Sequence, residues 1–174
     1  MNNYKHWMDF SSSVGFFFVS ILGCVLHFAY ACSNHNLLVA AVTPVNESVW
    51  EHLKLLFFPF ILFILIEFFS YGKHIGGFLF SGMIGVLCGM IWIAAGFYIY
   101  SALFGTPGFL ANLILFFTAV LLSFRIRCAR VIKQTDTGKM RTFPGLIMML
   151  CMTILFVGFT FSPPDSPLFI PPAP

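Results

Sequence analysis

Charge is what this sequence has least of. Only 9% of its 174 residues are Asp, Glu, Lys or Arg, and 59% are hydrophobic, whereas a typical soluble domain is roughly 25% charged. So few charged side chains cannot cover the water-facing surface of a chain of this size. A disordered chain is excluded too, because disorder requires few apolar residues and much charge. The sequence therefore predicts a protein whose surroundings are the lipid bilayer.

Closely spaced cysteines are also missing. Five cysteines are present, an odd number, and no two are spaced as C-x-x-C. A disulfide framework or a zinc knuckle would need cysteines close together in loops. Most of these thiols lie inside apolar runs, where they act as small hydrophobic side chains. They are Cys24, Cys32, Cys88, Cys128 and Cys151.

Apolar runs long enough to cross a membrane occur five times. A transmembrane helix needs roughly 20 mostly apolar residues. The predicted fold class is all-α, a polytopic membrane helix bundle that forms a single domain over 1–174. The tail at 163–174 holds six prolines and is expected to lie extended outside the membrane. The predicted spans are 14–32, 50–69, 75–101, 109–124 and 146–161.

The basic residues are concentrated in one segment. Six of the nine lie between positions 125 and 141, with Asp136 the only acid among them. A nucleic-acid reader would need a basic face on a soluble fold, so no nucleic-acid partner is expected. Instead, the positive-inside bias predicts a basic cytoplasmic loop at 125–143. The N-terminus then lies inside the cell and the C-terminal tail outside.

Polar side chains gather where the second span begins. Glu47 and Glu51 are four residues apart, as are Ser48 and His52, so each pair shares a face of a helix that starts at 43–44 or at 46. His27 lies about 8 Å below the outer end of the first span. Because the second span starts at that same end, these side chains are expected to converge in the outer leaflet.

Two imidazoles and two carboxylates form a ligand set suited to one divalent zinc, iron or manganese ion. We expect His27 and His52 to hold the metal together with Glu51 or Glu47. The other carboxylate would be the general base on a bound water that Ser48 orients. The H-E-x-x-H spacing of known zinc enzymes is absent from the sequence.

Each of these residues also has a purely structural interpretation. Glu47 would cap the helix, and Glu51 would pair with Lys54 three residues further on. His27 would be a hydrogen-bonded histidine of the core, and His52 would face interfacial water.

Glu67 is a further acid inside the second span. It lies about 22 Å from His52 along the helix, near the cytoplasmic end, where Lys73 or His74 is expected to meet it. It either belongs to a proton or ion path that reaches the outer cluster, or it is an acid that extends to the membrane interface.

Small residues repeat every four positions in the third span. This spacing lets helix backbones approach closely in lipid. It fits packing against another helix of the same chain, and it also fits a homodimer seam. The residues are Gly77, Ser81, Gly85 and Gly89.

The segment at 44–54 reads Pro-Val-Asn-Glu-Ser-Val-Trp-Glu-His-Leu-Lys. It resembles the signature of an uncharacterised family of small bacterial polytopic membrane proteins, a domain of unknown function. His27-Phe28-x-Tyr30 and the tail at 163–169 resemble further parts of that pattern. The resemblance implies a multi-pass protein of the bacterial inner membrane but no reaction. It also makes Asn46 and Trp50 candidates for substrate binding. Glu67 is the third candidate.

Three functions fit this pattern, and the first is preferred. It is a membrane-embedded, metal-dependent hydrolase of a lipid-like substrate. The second is a transporter or binding protein for a small solute, an ion or protons, with the polar cluster as its outer gate. The third is an accessory subunit that docks a membrane partner through Trp50 and the proline-rich tail.

Overall fold

The computed structural model describes residues 2–105, 108–135 and 142–172, so part of the predicted basic loop lies outside the described residues. The described chain is helical and contains no strand. Five helices are long and apolar enough to cross a membrane, which confirms the predicted all-α membrane bundle. The helices are α1 (Asn2–Cys32), the short α2 (Leu37–Ala40), α3 (Val49–Ser70), α4 (Phe78–Phe104), α5 (Phe109–Thr135) and α6 (Thr142–Phe161).

The fourth long helix extends well beyond its predicted end. α5 continues to Thr135, through the first half of the segment at 125–143 that was predicted as a loop. It continues because its later turns are still packed: Cys128 and Val131 join a buried cluster with residues of α1 and α4. Burial of these apolar side chains stabilises the extra turns of helix.

α3 is the central helix of the bundle. It contacts α1, α4, α5 and α6. Its aromatic rings fill the core, and the ring of Phe60 lies 4.7 Å from that of Phe124 in α5. The first turn of α3, which carries several candidate residues, therefore stands on a well-packed helix.

The small residues of α4 pack against α5 of the same chain. A Cβ atom added to Gly85 would fall 2.5 Å from the backbone oxygen of Ser123, and one added to Gly89 would fall 2.0 Å from the Ser123 hydroxyl. Gly77 and Ser81 are buried as well. These contacts fit the alternative in which the small residues pack against another helix of the same chain.

The long helices of the bundle alternate in direction. Ser11 contacts Glu67, and His27 contacts His52, so α1 and α3 are antiparallel. We call the end where α1 finishes and α3 begins the His27 end. The other end, where α3 and α5 finish, is called the Arg127 end.

α3 begins later than the sequence predicted. Ser48 is its N-cap, and the Ser48 hydroxyl accepts a hydrogen bond from the backbone N–H of Glu51. The predicted starts at 43–44 and 46 are therefore wrong. Asn46 forms the turn before the helix, where its side-chain oxygen accepts from the Ser48 N–H at 2.9 Å. Glu47 consequently precedes the helix, whereas Glu51 lies in its first turn.

The prolines predicted an extended tail, but the tail is not extended throughout. A 3₁₀ turn forms at Pro167–Phe169, where the N–H of Phe169 donates to the carbonyl of Ser166. Proline at the first position of such a turn has no N–H to lose. The rings of Phe169 and Trp50 are 5.0 Å apart, so the tail folds back over the start of α3. Residues 173–174 lie outside the described chain.

Candidate metal centre

Three side chains able to bind a metal meet at the His27 end. Nε2 of His52 lies 3.3 Å from Nε2 of His27 and 3.2 Å from Oε2 of Glu47. Ligand atoms of all three side chains lie within 4.8 Å of one another. The structure thus brings together both predicted histidines and one of the two predicted carboxylates.

Two of the three separations between these ligand atoms suit a tetrahedral ion. Zinc binds imidazole nitrogen and carboxylate oxygen at about 2.0–2.2 Å, which places two ligand atoms of a tetrahedral site about 3.4 Å apart. The separations of 3.3 Å and 3.2 Å are close to this value. Three protein ligands with a fourth position open are typical of catalytic zinc sites, whereas structural sites have four.

A backbone hydrogen bond sets the tautomer of His52. Its Nδ1 lies 3.0 Å from the carbonyl oxygen of Ser48, and a carbonyl only accepts, so Nδ1 carries the proton. In the neutral ring, Nε2, the atom nearest to His27 and Glu47, then carries the lone pair that a metal would use. Metal-binding histidines are commonly held by such a bond from the other ring nitrogen. Ser48 thus supplies a carbonyl to His52 and a hydroxyl to the helix cap.

The group of three is accessible from outside the bundle. The side chain of Glu47 is 69% exposed and that of His52 is 29% exposed. This exposure leaves space for a fourth ligand, such as a water molecule or a substrate oxygen.

Glu51, predicted as a metal ligand, lies outside this group. Its carboxylate is buried, and Oε2 lies 2.8 Å from Nζ of Lys54. Oε2 also accepts from the backbone N–H of Val45 at 2.9 Å, and Oε1 accepts from the hydroxyl of Thr160 at 3.2 Å. The sequence had offered the pairing of Glu51 with Lys54 as the alternative to metal binding, and this pairing is present.

Lys54 completes the same buried network. Its Nζ donates to the carbonyls of Ala40 at 3.0 Å and Thr43 at 3.1 Å. Together with the bond from Val45, these contacts fix the segment between α2 and α3. The backbone that leads to Glu47 is thereby tied to the buried pair.

An apolar cavity of about 340 Å³ adjoins the three candidate ligands. His27, Glu47 and His52 line one part of it. Most of the remaining wall is hydrophobic and includes Phe97 of α4 and Phe116 of α5. Its volume lies at the low end of the roughly 300–1,000 Å³ of ligand pockets. The site can therefore hold a polar group and an apolar chain side by side.

Residues 1–172 match the sequence profile of DUF6512, a family of unknown function. The chain belongs to this family. The family membership predicted from the sequence is confirmed over nearly the whole chain. No curated protein and no solved structure is significantly similar to it.

In this DUF6512 member, two of the predicted substrate-binding residues have structural partners. Trp50 is buried beneath the tail, with its ring 4.7 Å from that of Phe156 in α6. Asn46 holds the turn before α3. Neither lines the cavity, so the structure does not bring them to the candidate metal ligands.

Glu67 lies at the Arg127 end, in a second buried polar cluster. Its carboxylate accepts hydrogen bonds from Arg127, Ser11 and Tyr71. Arg127 is fully buried, and its guanidinium lies 4.8 Å over the ring of Phe78. Burial, and then the bond to Glu67, raises the pKa of Tyr71 to about 12. The phenol therefore stays protonated at neutral pH and keeps donating to Glu67.

Arg127 was not predicted from the sequence as the partner of Glu67. Lys73 or His74 was expected there, and the structure leaves both exposed. A signal was present in the sequence: Arg127 lies seven residues after Val120 and four before Val131, on one helical face. Both valines are fully buried, so the guanidinium at this spacing faces the core.

Proposed function

We propose that this protein is a membrane-embedded, metal-dependent hydrolase that acts on a lipid-like substrate. The observation that carries the proposal is the position of His27, Glu47 and His52 on the wall of an apolar cavity. A divalent ion bound by these side chains would have its open position next to the occupant of the cavity. Because the surrounding helices are membrane spans, the bilayer is a natural source of that occupant.

Zinc fits this ligand set best, since two imidazoles and one carboxylate occur in known catalytic zinc sites. Iron and manganese also bind such ligands. Zinc lowers the pKa of a bound water to about 7, which supplies a nucleophile at neutral pH. The water oxygen bonds to the substrate carbonyl carbon, the bond to the leaving group breaks, and a water proton ends on the leaving group. Glu47 would be the carboxylate ligand of the ion, because Glu51 is bound to Lys54.

We place the His27 end outside the cell, in the outer leaflet of a bacterial inner membrane. Exposed basic residues such as Lys73 and Arg125 belong to the Arg127 end, which supports a cytoplasmic position for that end. Lys54 lies near the His27 end, where an exposed cation would oppose this orientation. It is buried in an ion pair, so it does not act as a loop charge.

The other two candidate functions gain no comparable support. Glu67, the acid that a transport path would use, is bound to Arg127 and does not line the cavity. Trp50, the residue that would dock a partner, is covered by the tail of its own chain.

The proposal is tested by hydrolysis of a fluorogenic acyl ester by the protein in lipid nanodiscs. Chelation should abolish the activity and added zinc should restore it. His52→Ala should lower the rate by about 100-fold or more, because a metal ligand is lost. His74→Ala, an exposed histidine at the Arg127 end, is the matched control and should keep the rate. Activity that survives chelation, or that His52→Ala retains, would contradict the proposal.

A further inference from the structure

The cavity changes from polar to apolar over a short distance. His27, Glu47 and His52 form its polar wall, and most of the rest is formed by aliphatic and aromatic side chains of α3, α4 and α5, with Asn112 as a further polar residue. On α5 the lining runs from Phe109 to Phe116, which is about 10 Å at ~1.5 Å per residue. The cavity thus has the polarity of an amphiphile, with a place for a head group and a place for a chain.

The cavity is open in two places. Glu47 and Pro172 line it and are exposed at the His27 end, and Cys24 of α1 and Asn112 of α5 line it and are exposed on the lipid-facing side of the bundle. A side chain that lines a cavity and is also exposed marks the opening. Cys24 lies about 4–5 Å along α1 from His27, inside the apolar span. An amphiphile can therefore move in sideways from the bilayer without its chain crossing water.

Three helices pack closely together at Gly23, which lines the cavity. A Cβ atom added there would fall 2.7 Å from the backbone oxygen of Leu55 and 2.7 Å from the ring of Phe116. The cavity volume of about 340 Å³ is at the low end of the range for ligand pockets, which favours one hydrocarbon chain over two.

We propose that the substrate is a single-chain amphiphile, an acyl ester or amide, that enters from the bilayer between α1 and α5. Its carbonyl group lies at the three candidate ligands, and its chain lies along α5 towards Phe116. This inference rests on the proposed metal-dependent hydrolase. Water adds its oxygen to the carbonyl carbon and the carbon–oxygen or carbon–nitrogen bond breaks. The products are a carboxylic acid and an alcohol or amine.

The test is photo-crosslinking in nanodiscs made of diacyl phospholipid. The probe is a medium-chain alkyl hydroxamate with a diazirine at the end of the chain, since a hydroxamate binds zinc. We expect labelling of cavity residues such as Phe97 and Phe116, and competition by an unlabelled single-chain ester.

Two neighbouring substitutions on α5 provide the matched pair. Leu113→Trp fills the cavity and should lower the labelling about tenfold. Ile114→Trp, at an exposed position outside the cavity, should leave labelling unchanged. Should Leu113→Trp fail to assemble, competition in the unmodified protein still decides: a short-chain diacyl lipid that competes as well as the single-chain ester would overturn the inference.

Zinc content measured on the same samples separates this inference from the proposed function. Labelling spread over lipid-facing residues such as Ile91 and Ile114, in protein that binds zinc, would overturn the single-chain substrate and leave the metal site standing. Labelling confined to the cavity in protein that binds no zinc would overturn the hydrolase and support the cavity as an amphiphile site.

Discussion

The ammonium group of Lys54 is buried 2.8 Å from the carboxylate of Glu51. A buried charge is costly unless it is paired and hydrogen-bonded. Here one further bond comes from the Thr160 hydroxyl, and the others join the pair to backbone groups in or just before the segment that leads to Glu47. The pair therefore ties the position of a candidate metal ligand to the core of the bundle.

Lys54→Met should lower zinc affinity although it touches no ligand. The substitution leaves Glu51 buried without its partner and releases two carbonyls of the segment before α3. Loss of such supporting contacts typically costs about 10- to 100-fold in metal affinity. Isothermal titration with zinc measures it, with the exposed Lys73→Met as control. Equal affinities of the two variants would show that the pair does not position Glu47.

The number of spans was predictable because lipid allows few alternatives to apolar helices. Which of the two glutamates lies beside the histidines was not predictable from the sequence. Glu47 and Glu51 share a face only if both are helical, and the helix starts after Ser48 instead. Glu47 therefore turns towards His52, and Glu51 turns towards Lys54.

The meeting of His27 with His52 followed from topology alone, since α1 ends where α3 begins. The pairing of Glu67 with Arg127 did not follow, because these residues are 60 positions apart and come together only when α5 packs onto the bundle. Helix packing of this kind is set by many side chains at once, and a local reading of the sequence cannot supply it.

Arg127→Met should destabilise the bundle and leave zinc binding unchanged. Removing one partner of a buried ion pair costs about 3 kcal/mol or more, because Glu67 is left buried without its partner. Thermal unfolding in nanodiscs measures the loss, and Arg125→Met is the control, an exposed arginine two residues away on α5. A large drop in zinc affinity in Arg127→Met alone would instead indicate that the two ends of the bundle are coupled.

Stability should depend on the protonation of Tyr71 at high pH. The pKa of this phenol is raised from 10.0 to about 12 in the folded chain, so the folded state favours the protonated form. The contribution is fully present below pH 10 and is lost as pH rises through 12. Unfolding followed from pH 8 to 12 should show this loss in the unmodified protein and a smaller one in Tyr71→Phe. Identical pH profiles would contradict the assignment.

Phe169→Ala should loosen the tail from the start of α3. The ring of Phe169 packs against Trp50 and lies 5.4 Å from that of Phe159, and truncating it removes both contacts. Hydrogen exchange at the amides of Ser166 and Phe169, both bonded in the folded tail, should become faster. Ile170→Ala removes an exposed side chain next to it and should leave exchange slow. Fast exchange in both variants, or in neither, would argue against the aromatic contact as the anchor.

The central claim is that His27, Glu47 and His52 hold one metal ion. Zinc titration of the full chain in nanodiscs, combined with X-ray absorption at the zinc edge, tests it most directly. The account predicts one zinc ion per chain, with two nitrogen neighbours and at least one oxygen neighbour at about 2.0–2.2 Å. Binding should be lost in His27→Ala and in His52→Ala and kept in His74→Ala. No bound zinc, or a sulfur neighbour at about 2.3 Å, would contradict it.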